Sequence, residues 1–230
     1  MVISARYETS RAHVNENRSC RPTPCVDAAV APVEVDTPHG PANVHLRLVE
    51  QPRAALVLGH GAGGGIAARD LTTAADAAGR QSISVALVEQ PYRVAGRRSP
   101  APAARLDTAW VAVVARLREH ELAGLALLVG GRSSGARVAC RTASAAGAIG
   151  VLCLAFPVRP PGRAEAPSRL HELDAVAVPT LVVQGSRDPF GIPPAGPNRT
   201  VVEVAGDHSL RTDLSAVTAA IEEWLVRLFE

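Results

Sequence analysis

The chain has 230 residues, 47% hydrophobic and 20% charged, which indicates one globular domain with a sizeable core and excludes a disordered chain. All 24 basic residues are arginine and the formal net charge is only +2, so charge gives no reason to expect a nucleic acid partner. Neither a leader nor an apolar run of roughly 18 residues is found, and we therefore expect a cytoplasmic protein with no membrane partner.

Residues 1–32 are polar and lack periodicity, which predicts a flexible N-terminal tail before a single domain over residues 33–230. Cys20 and Cys25 lie in this tail. A disulfide between them is one alternative and a metal pair another, but two ligands alone do not make a zinc site. Cys140 and Cys153 lie in apolar segments and are expected to be buried as small hydrophobic side chains. We expect no metal and no cofactor.

The domain alternates strand-like and helix-like segments. Alternating apolar and polar residues at 33–36 and 43–50 predict an antiparallel hairpin at the edge of a sheet. Continuous apolar runs predict buried strands at 54–58, 83–88, 125–129, 149–156, 179–183 and 200–204. Helices are expected at 66–79, 103–120, 135–146, 168–174 (opened by a serine cap) and 213–229, with a loop at 89–101. This order predicts an α/β fold, a mostly parallel sheet with helices on both faces.

One turn between a strand and a helix carries a reactive pattern. Residues 131–135 read G-R-S-S-G, which matches G-x-S-x-G with Ser133 at its centre. The motif follows an apolar strand and opens a helix, which is the context that a nucleophile elbow requires. The sequence therefore predicts Ser133 as a nucleophile, and a plain glycine-rich turn with a solvated serine is the alternative.

Two further candidates follow later apolar runs. Asp188 comes after the strand at 179–183, and His208 after the strand at 200–204. The carboxyl ends of parallel strands meet at one edge of a sheet, so these side chains can meet Ser133 there. A serine hydroxyl needs a base, and a carboxylate would orient that base. We predict Ser133, His208 and Asp188 as the catalytic residues, and regard Asp207 as worse placed because adjacent side chains diverge.

A glycine-rich turn, H-G-A-G at residues 60–63, follows the first buried strand. Glycines let the backbone approach a substrate, so the N–H groups of Ala62 and Ser134 are predicted to form an oxyanion hole. His60 is interpreted as structural, with its ring bonded to nearby backbone. A dinucleotide site is disfavoured because Ile66 stands where the third glycine is needed, and a phosphate-binding loop lacks its lysine.

These motifs together resemble the α/β-hydrolase superfamily over residues 33–230, within which the chain is similar to compact dienelactone-hydrolase-like members. The segment G-R-S-S-G-A-R-V-A more closely resembles the hydrolase-like family shared by testis-expressed proteins and a subunit of the non-specific-lethal acetyltransferase complex. The resemblance implies Ser133 as nucleophile, Asp188 as acid, His208 as base, and Ala62 and Ser134 as oxyanion donors. Dienelactone hydrolases proper have cysteine at the elbow, so their substrate is not carried over.

Only about 22 residues separate Phe156 from Pro179, so any lid is a loop plus one small helix, and an open site favours small or flexible substrates. The expected function is a serine hydrolase of carboxylesterase type that cleaves a small ester or thioester through an acyl-enzyme. A catalytically silent binding module is the alternative, and a lyase or haloperoxidase-like member that reuses the same triad is a third reading.

Several arginines stand in loops near the predicted site and are candidates to bind an anionic substrate: Arg93, Arg97, Arg98, Arg132 and Arg159. The alternative is that each is solvated at the surface. For Arg132 a further alternative is that it braces the elbow by pairing with an acidic group beneath it. The oligomeric state is not indicated by the sequence.

Overall fold

The computed structural model describes residues 31–163 and 165–230. Its strands are β1 Val33–Val35, β2 Ala42–Arg47, β3 Ala54–Gly59, β4 Ile83–Glu89, β5 Leu127–Arg132, β6 Gly150–Leu154, β7 Thr180–Gly185 and β8 Arg199–Val204. Its helices are α1 Arg69–Arg80, α2 Pro91–Val94, α3 Ala103–Glu119, α4 Ser134–Thr142, α5 Leu170–Asp174 and α6 Leu214–Phe229. The predicted tail, with Cys20 and Cys25, falls almost entirely outside the described residues.

The strands form one sheet in the order β1-β2-β4-β3-β5-β6-β7-β8. Strand β2 is antiparallel to both β1 and β4, and every other neighbouring pair is parallel, which confirms the edge hairpin and the mostly parallel sheet. In the central pair Gly59 of β3 lies opposite Gly131 of β5. The turns that follow these two strands therefore start side by side at the same edge of the sheet.

Two apolar clusters cover the two faces of the sheet. Leu56 and Leu58 of β3 pack into the cluster formed with α1 and α6, whereas Ala55 and Val57 pack into the cluster formed with α3, α4 and α5. Alternation along the strand produces this division, because successive side chains point to opposite faces. Both faces are thus covered by helices, as expected for a parallel sheet.

Trp110 of α3 is fully buried and packs where β3 ends. A Cβ atom on Gly59 would lie 3.1 Å from the Trp110 ring, so the indole is in close contact with the backbone of the strand end. The glycine-rich turn begins at the next residue. Trp110 therefore supports the strand that carries this turn.

Several local predictions need correction. The first predicted helix, 66–79, begins only at Arg69, and residues 66–67 form a turn before it. The predicted loop at 89–101 contains the short helix α2, which Pro91 opens at a position where its missing N–H costs nothing. The helix after the elbow ends at Thr142 rather than Ala146, and turns follow it. Ser168 is not the N-cap of α5: that position is Arg169, although the Ser168 hydroxyl accepts a hydrogen bond from the Leu170 N–H at 3.2 Å.

The buried positions of Cys140 and Cys153 are confirmed, and their sulfur atoms lie 3.5 Å apart. The contact with Cys140 and burial raise the pKa of the Cys153 thiol well above its ordinary value, so the thiol stays protonated. Among the described helices, none combines the length and the apolar character needed to cross a membrane.

Replacing Trp110 by alanine should lower the free energy of unfolding by about 3–5 kcal/mol, because the change leaves a cavity in the core. Urea unfolding followed by circular dichroism measures this change. Leu48→Ala is the control, since this side chain is 58% exposed and its loss should change stability by less than about 0.5 kcal/mol. Equal unfolding midpoints for the two variants would contradict the packing role of Trp110.

Candidate active site

Ser133 stands at a strained bend between β5 and α4, with φ 51° and ψ −107°. The bend is possible because both motif glycines lack side chains: a Cβ on Gly131 or on Gly135 would collide with the carbonyl oxygen of Gly59. The Ser133 N–H donates to the Leu154 carbonyl at 2.9 Å and holds the bend on β6. The predicted elbow geometry is therefore present, with its serine at the carboxyl edge of the sheet.

The three predicted catalytic side chains meet at this edge. The Ser133 Oγ lies 2.9 Å from His208 Nε2, and His208 Nδ1 lies 2.7 Å from Asp188 Oδ2. A carboxylate can only accept, so the imidazole carries its proton on Nδ1 and donates it to Asp188. This leaves Nε2 free to accept the Ser133 hydroxyl proton.

Asp188 is itself tightly held, with its side chain fully buried. Its Oδ1 accepts from the Phe190 N–H at 2.8 Å, and its Oδ2 accepts from Gln184 Nε2 at 2.8 Å. The Phe190 ring packs against the His208 ring at a centroid distance of 4.1 Å. These contacts leave the carboxylate one orientation, toward the imidazole.

The amide of Gln184, which sequence reasoning did not assign, is part of this arrangement. Its Nε2 also lies 3.1 Å from the Phe156 carbonyl and 2.9 Å from the Gly191 carbonyl. The signal in the sequence was a glutamine directly after an apolar strand, four residues before Asp188. A polar side chain at such a position must find partners in the interior.

Asp207 does not contact the imidazole ring of His208. Its exposed carboxylate accepts hydrogen bonds from the N–H and the hydroxyl of Ser209, and these bonds lower its pKa. Leu210, two residues after the histidine, is fully buried and anchors the loop in the core. The loop after β8 is thus anchored on the C-terminal side of His208, and Asp188 is the carboxylate that faces the ring.

The glycine-rich turn lies against the elbow. A Cβ on Gly61 would be 3.7 Å from the Ser133 Cβ, and the Tyr92 hydroxyl donates to the Ala62 carbonyl at 3.1 Å. Burial raises the pKa of Tyr92 to about 12, so this donor keeps its proton. The N–H groups of Ala62 and Ser134 donate to no other described residue. Both N–H groups are therefore available for the predicted role as oxyanion donors.

Both ring nitrogens of His60 are bonded to backbone. Nδ1 lies 2.8 Å from the Gly61 carbonyl and donates to it, while Nε2 accepts from the Gln90 N–H at 3.1 Å. Burial lowers the pKa of His60 below its ordinary value of 6.5. The neutral ring links the end of β3 to the end of β4, and its bonds to nearby backbone agree with the structural role expected from the sequence.

The candidate arginines divide by environment. Arg132 donates from Nε to Asp70 Oδ2 at 2.8 Å, which is the bracing alternative foreseen for it. Arg93 is half-buried, and its Nε is buried with no partner among the described residues. Arg159 is exposed on the loop after β6, where its N–H donates to the Phe190 carbonyl. Arg97 and Arg98 are exposed.

The surroundings of the site are open. Between β6 and β7 the only described helix is α5, with five residues, and it forms no cap. A cavity of about 340 Å³ lies between the glycine-rich turn and the His208 loop, and its lining includes Gly63, Asp70, Arg132 and Ser209. In the described part of the chain, no three His, Cys, Asp or Glu side chains are grouped so as to hold a metal ion.

A family model described as an alpha/beta hydrolase domain matches residues 52–219. The chain belongs to the alpha/beta hydrolase family. The matched segment contains Ser133, Asp188, His208 and the turn with Ala62. No curated protein matches the sequence significantly.

Solved structures share this hydrolase fold at low sequence identity. A serine hydrolase without a lid from Xanthomonas campestris has a TM-score of 0.67 at 20% identity, covering 89% of this chain and 97% of its own. Est1E from Butyrivibrio proteoclasticus has a TM-score of 0.70 at 13% identity, with coverages of 87% and 99%. A dienelactone hydrolase from Anabaena variabilis has a TM-score of 0.69 at 16% identity, with coverages of 85% and 96%. At these identities the likeness establishes the fold.

The neutral His60 predicts a loss of stability in mild acid. Above pH 6.5 the ring is neutral in both folded and unfolded chains; below it, the unfolded chain takes up a proton that the folded chain resists. The free energy of unfolding should therefore fall with decreasing pH, by up to about 1.4 kcal/mol per pH unit from this residue. His60→Gln should flatten the dependence measured by urea unfolding at a series of pH values.

His39→Gln is the matched control, because His39 is exposed and its replacement should keep the wild-type slope. If the free energy of unfolding of His60→Gln depends on pH as steeply as that of the wild type, His60 is not held neutral in the folded chain.

Proposed function

We propose that this alpha/beta hydrolase is a serine hydrolase of carboxylesterase type that cleaves a small ester or thioester through an acyl-enzyme. One observation carries the proposal: the unbroken path from Ser133 Oγ through both nitrogens of His208 to Asp188, with links of 2.9 and 2.7 Å. A serine activated by a base whose tautomer is fixed by a carboxylate is the arrangement for nucleophilic attack on a carbonyl carbon.

In the acylation step, Ser133 Oγ bonds to the carbonyl carbon of the ester as His208 Nε2 takes the hydroxyl proton. The carbonyl oxygen becomes an oxyanion, which the free N–H groups of Ala62 and Ser134 are suited to stabilise. The tetrahedral intermediate collapses, the bond to the alcohol or thiol breaks, and His208 returns the proton to this leaving group. The product is an ester on Ser133.

Water then releases the acyl group. His208 Nε2 accepts a proton from the water as its oxygen bonds to the acyl carbon, and the same two N–H groups stabilise the second oxyanion. When this intermediate collapses, the proton passes to Ser133 Oγ and the carboxylic acid leaves. Asp188 keeps its charge throughout and stabilises the imidazolium that forms twice in the cycle.

The open surroundings support small or flexible substrates. Between β6 and β7 the described residues form no helix other than α5, so little protein surface is available there to enclose a long acyl chain. The motif G-R-S-S-G-A-R-V-A further supports a kinship with the hydrolase-like family of testis-expressed proteins and the non-specific-lethal complex subunit, within the alpha/beta hydrolases. That kinship adds no substrate to the proposal.

A fluorophosphonate probe tests the proposal, since it forms a stable bond only with an activated serine. We expect one adduct per chain, mapped to Ser133 by peptide mass spectrometry. Ser133→Ala should give no adduct, and His208→Ala should slow labelling by about 10⁴-fold, because the base is lost. The exposed Ser144 offers a matched control, and Ser144→Ala should label at the wild-type rate.

Failure of the folded wild-type protein to label would contradict the proposed hydrolase and favour a silent binding module. Labelling without ester turnover would instead contradict the hydrolysis, and a screen of small esters and thioesters separates these outcomes.

We further propose that Arg93 favours substrates with a carboxylate. Its Nε has no partner among the described residues, and it follows Tyr92, whose hydroxyl holds the Ala62 carbonyl. An ester with a distal carboxylate should exceed its neutral analogue in kcat/KM by about fivefold, the range of a partly exposed ion pair. Arg93→Gln should remove this difference and leave the neutral ester unaffected.

The exposed Arg97 supplies the control, and Arg97→Gln should keep the preference. Equal kcat/KM for the two esters in the wild-type protein would overturn the role of Arg93.

A further inference from the structure

Arg132, the residue before the nucleophile, connects three parts of the site. From the end of β5 its Nε donates to Asp70 Oδ2 at 2.8 Å, and its Nη2 donates to the backbone carbonyl of His208 at 3.1 Å. Asp70 lies in the first turn of α1. One guanidinium thus joins the nucleophile strand, helix α1 and the loop that carries the base.

Asp70 holds this guanidinium in place. Its side chain is only 2% exposed, and its second oxygen accepts from the Leu71 N–H at 3.0 Å. Burial raises the pKa of Asp70, and the charge of Arg132 opposes that change. The carboxylate and the guanidinium therefore stabilise each other, and an arginine whose donors are fixed in one plane is held in one orientation.

The glycine-rich turn makes room for the guanidinium. A Cβ on Gly61 would stand 2.7 Å from Arg132 Nη1. The absence of that atom lets the guanidinium lie beside the turn, the elbow and the His208 loop together. Gly61 thus has a role besides the approach of substrate, which was the only role the sequence suggested for it.

We propose that Arg132, held by Asp70, is a positioning residue that fixes the backbone of His208 and so aims its imidazole at Ser133. The inference rests on the proposed function and assigns to Arg132 a role in it other than substrate binding. Asp188 holds the ring through Nδ1 and Phe190 packs against its face, but the ring still moves with the backbone of its own loop. The bond to the His208 carbonyl removes that freedom.

The size of the effect follows from geometry. Catalytic groups must be held within about 0.5 Å of their productive positions, and a shift of about 1 Å can cost roughly a hundredfold in rate. Substrate binding does not depend on the direction of the imidazole. Loss of the link should therefore lower kcat and leave KM within about twofold of the wild-type value.

Two variants separate positioning from folding. Arg132→Lys keeps a positive charge beside Asp70 but replaces the planar fork with a single ammonium, which cannot reach both partners in the same way. The double variant Asp70→Asn with Arg132→Gln removes both charges, so no buried carboxylate is left alone. The control is Arg80→Lys, which alters the 2.6 Å pair with Glu222 at the other end of α1.

We expect both test variants to lower kcat and the rate of fluorophosphonate labelling by about ten- to a hundredfold, with melting temperatures near that of the wild type. Arg80→Lys should match the wild-type rates. Wild-type rates in the double variant would overturn the proposal, as would a lower melting temperature with kcat unchanged. If Arg132→Lys does not fold, kcat and the labelling rate of the double variant alone decide whether Arg132 has the proposed positioning role.

A second readout does not depend on hydrolysis. The proton between His208 Nδ1 and Asp188 Oδ2, in a bond of 2.7 Å, should give a far-downfield signal in one-dimensional proton NMR, and Asp188→Asn should identify it. In both test variants this signal should broaden or shift, and in Arg80→Lys it should persist. If the wild type fails to label, the proposed hydrolase fails while this signal still tests the positioning. An unchanged signal in the double variant would overturn it.

Discussion

The site depends on how closely three backbone segments approach one another. The carbonyl oxygen of Gly59 lies where side chains on Gly131 or Gly135 would be, so β3 and the elbow pack backbone against backbone. This approach forces the bend at Ser133 and brings the turn with Ala62 beside it. Alanine at either motif glycine would separate these segments. The sheet thus acts as a rigid frame, and the reactive groups take their positions from it.

Around this frame, groups beyond the reacting atoms are fixed by partners of their own. Gln184 and the Phe190 N–H hold Asp188, Tyr92 holds the carbonyl of Ala62, and the ring of His60 bonds to backbone on both sides. Side chains locked in this way lose little further freedom when a substrate arrives. In the proposed hydrolase, these groups would already be in position before a substrate binds, which is the condition for electrostatic stabilisation of a transition state.

Much of this organisation is readable from sequence, because strands buried on both faces appear as apolar runs and reactive residues follow them. Ser133 carried a local motif, but Asp70 did not. Its partner Arg132 is 62 positions away, and the two meet only because the fold places the first turn of α1 beside the end of β5. The same holds for Tyr92 in α2. A helix of four residues gives almost no sequence signal of its own, because its stability comes from tertiary packing. Sequence patterns predict elements well, whereas they do not specify contacts made across elements.

The order of the strands has a consequence for synthesis. Ser133, the proposed nucleophile, follows β5, while His208, its proposed base, lies 75 residues later, beyond β8 at the far edge of the sheet. A growing chain that ends before β7 lacks both Asp188 and His208, so its Ser133 would be as unreactive as any free hydroxyl. The proposed nucleophile can be activated only after β8 has joined the sheet and His208 lies beside Ser133. In the proposed hydrolase, reactivity toward a serine-directed probe would therefore report completion of the sheet.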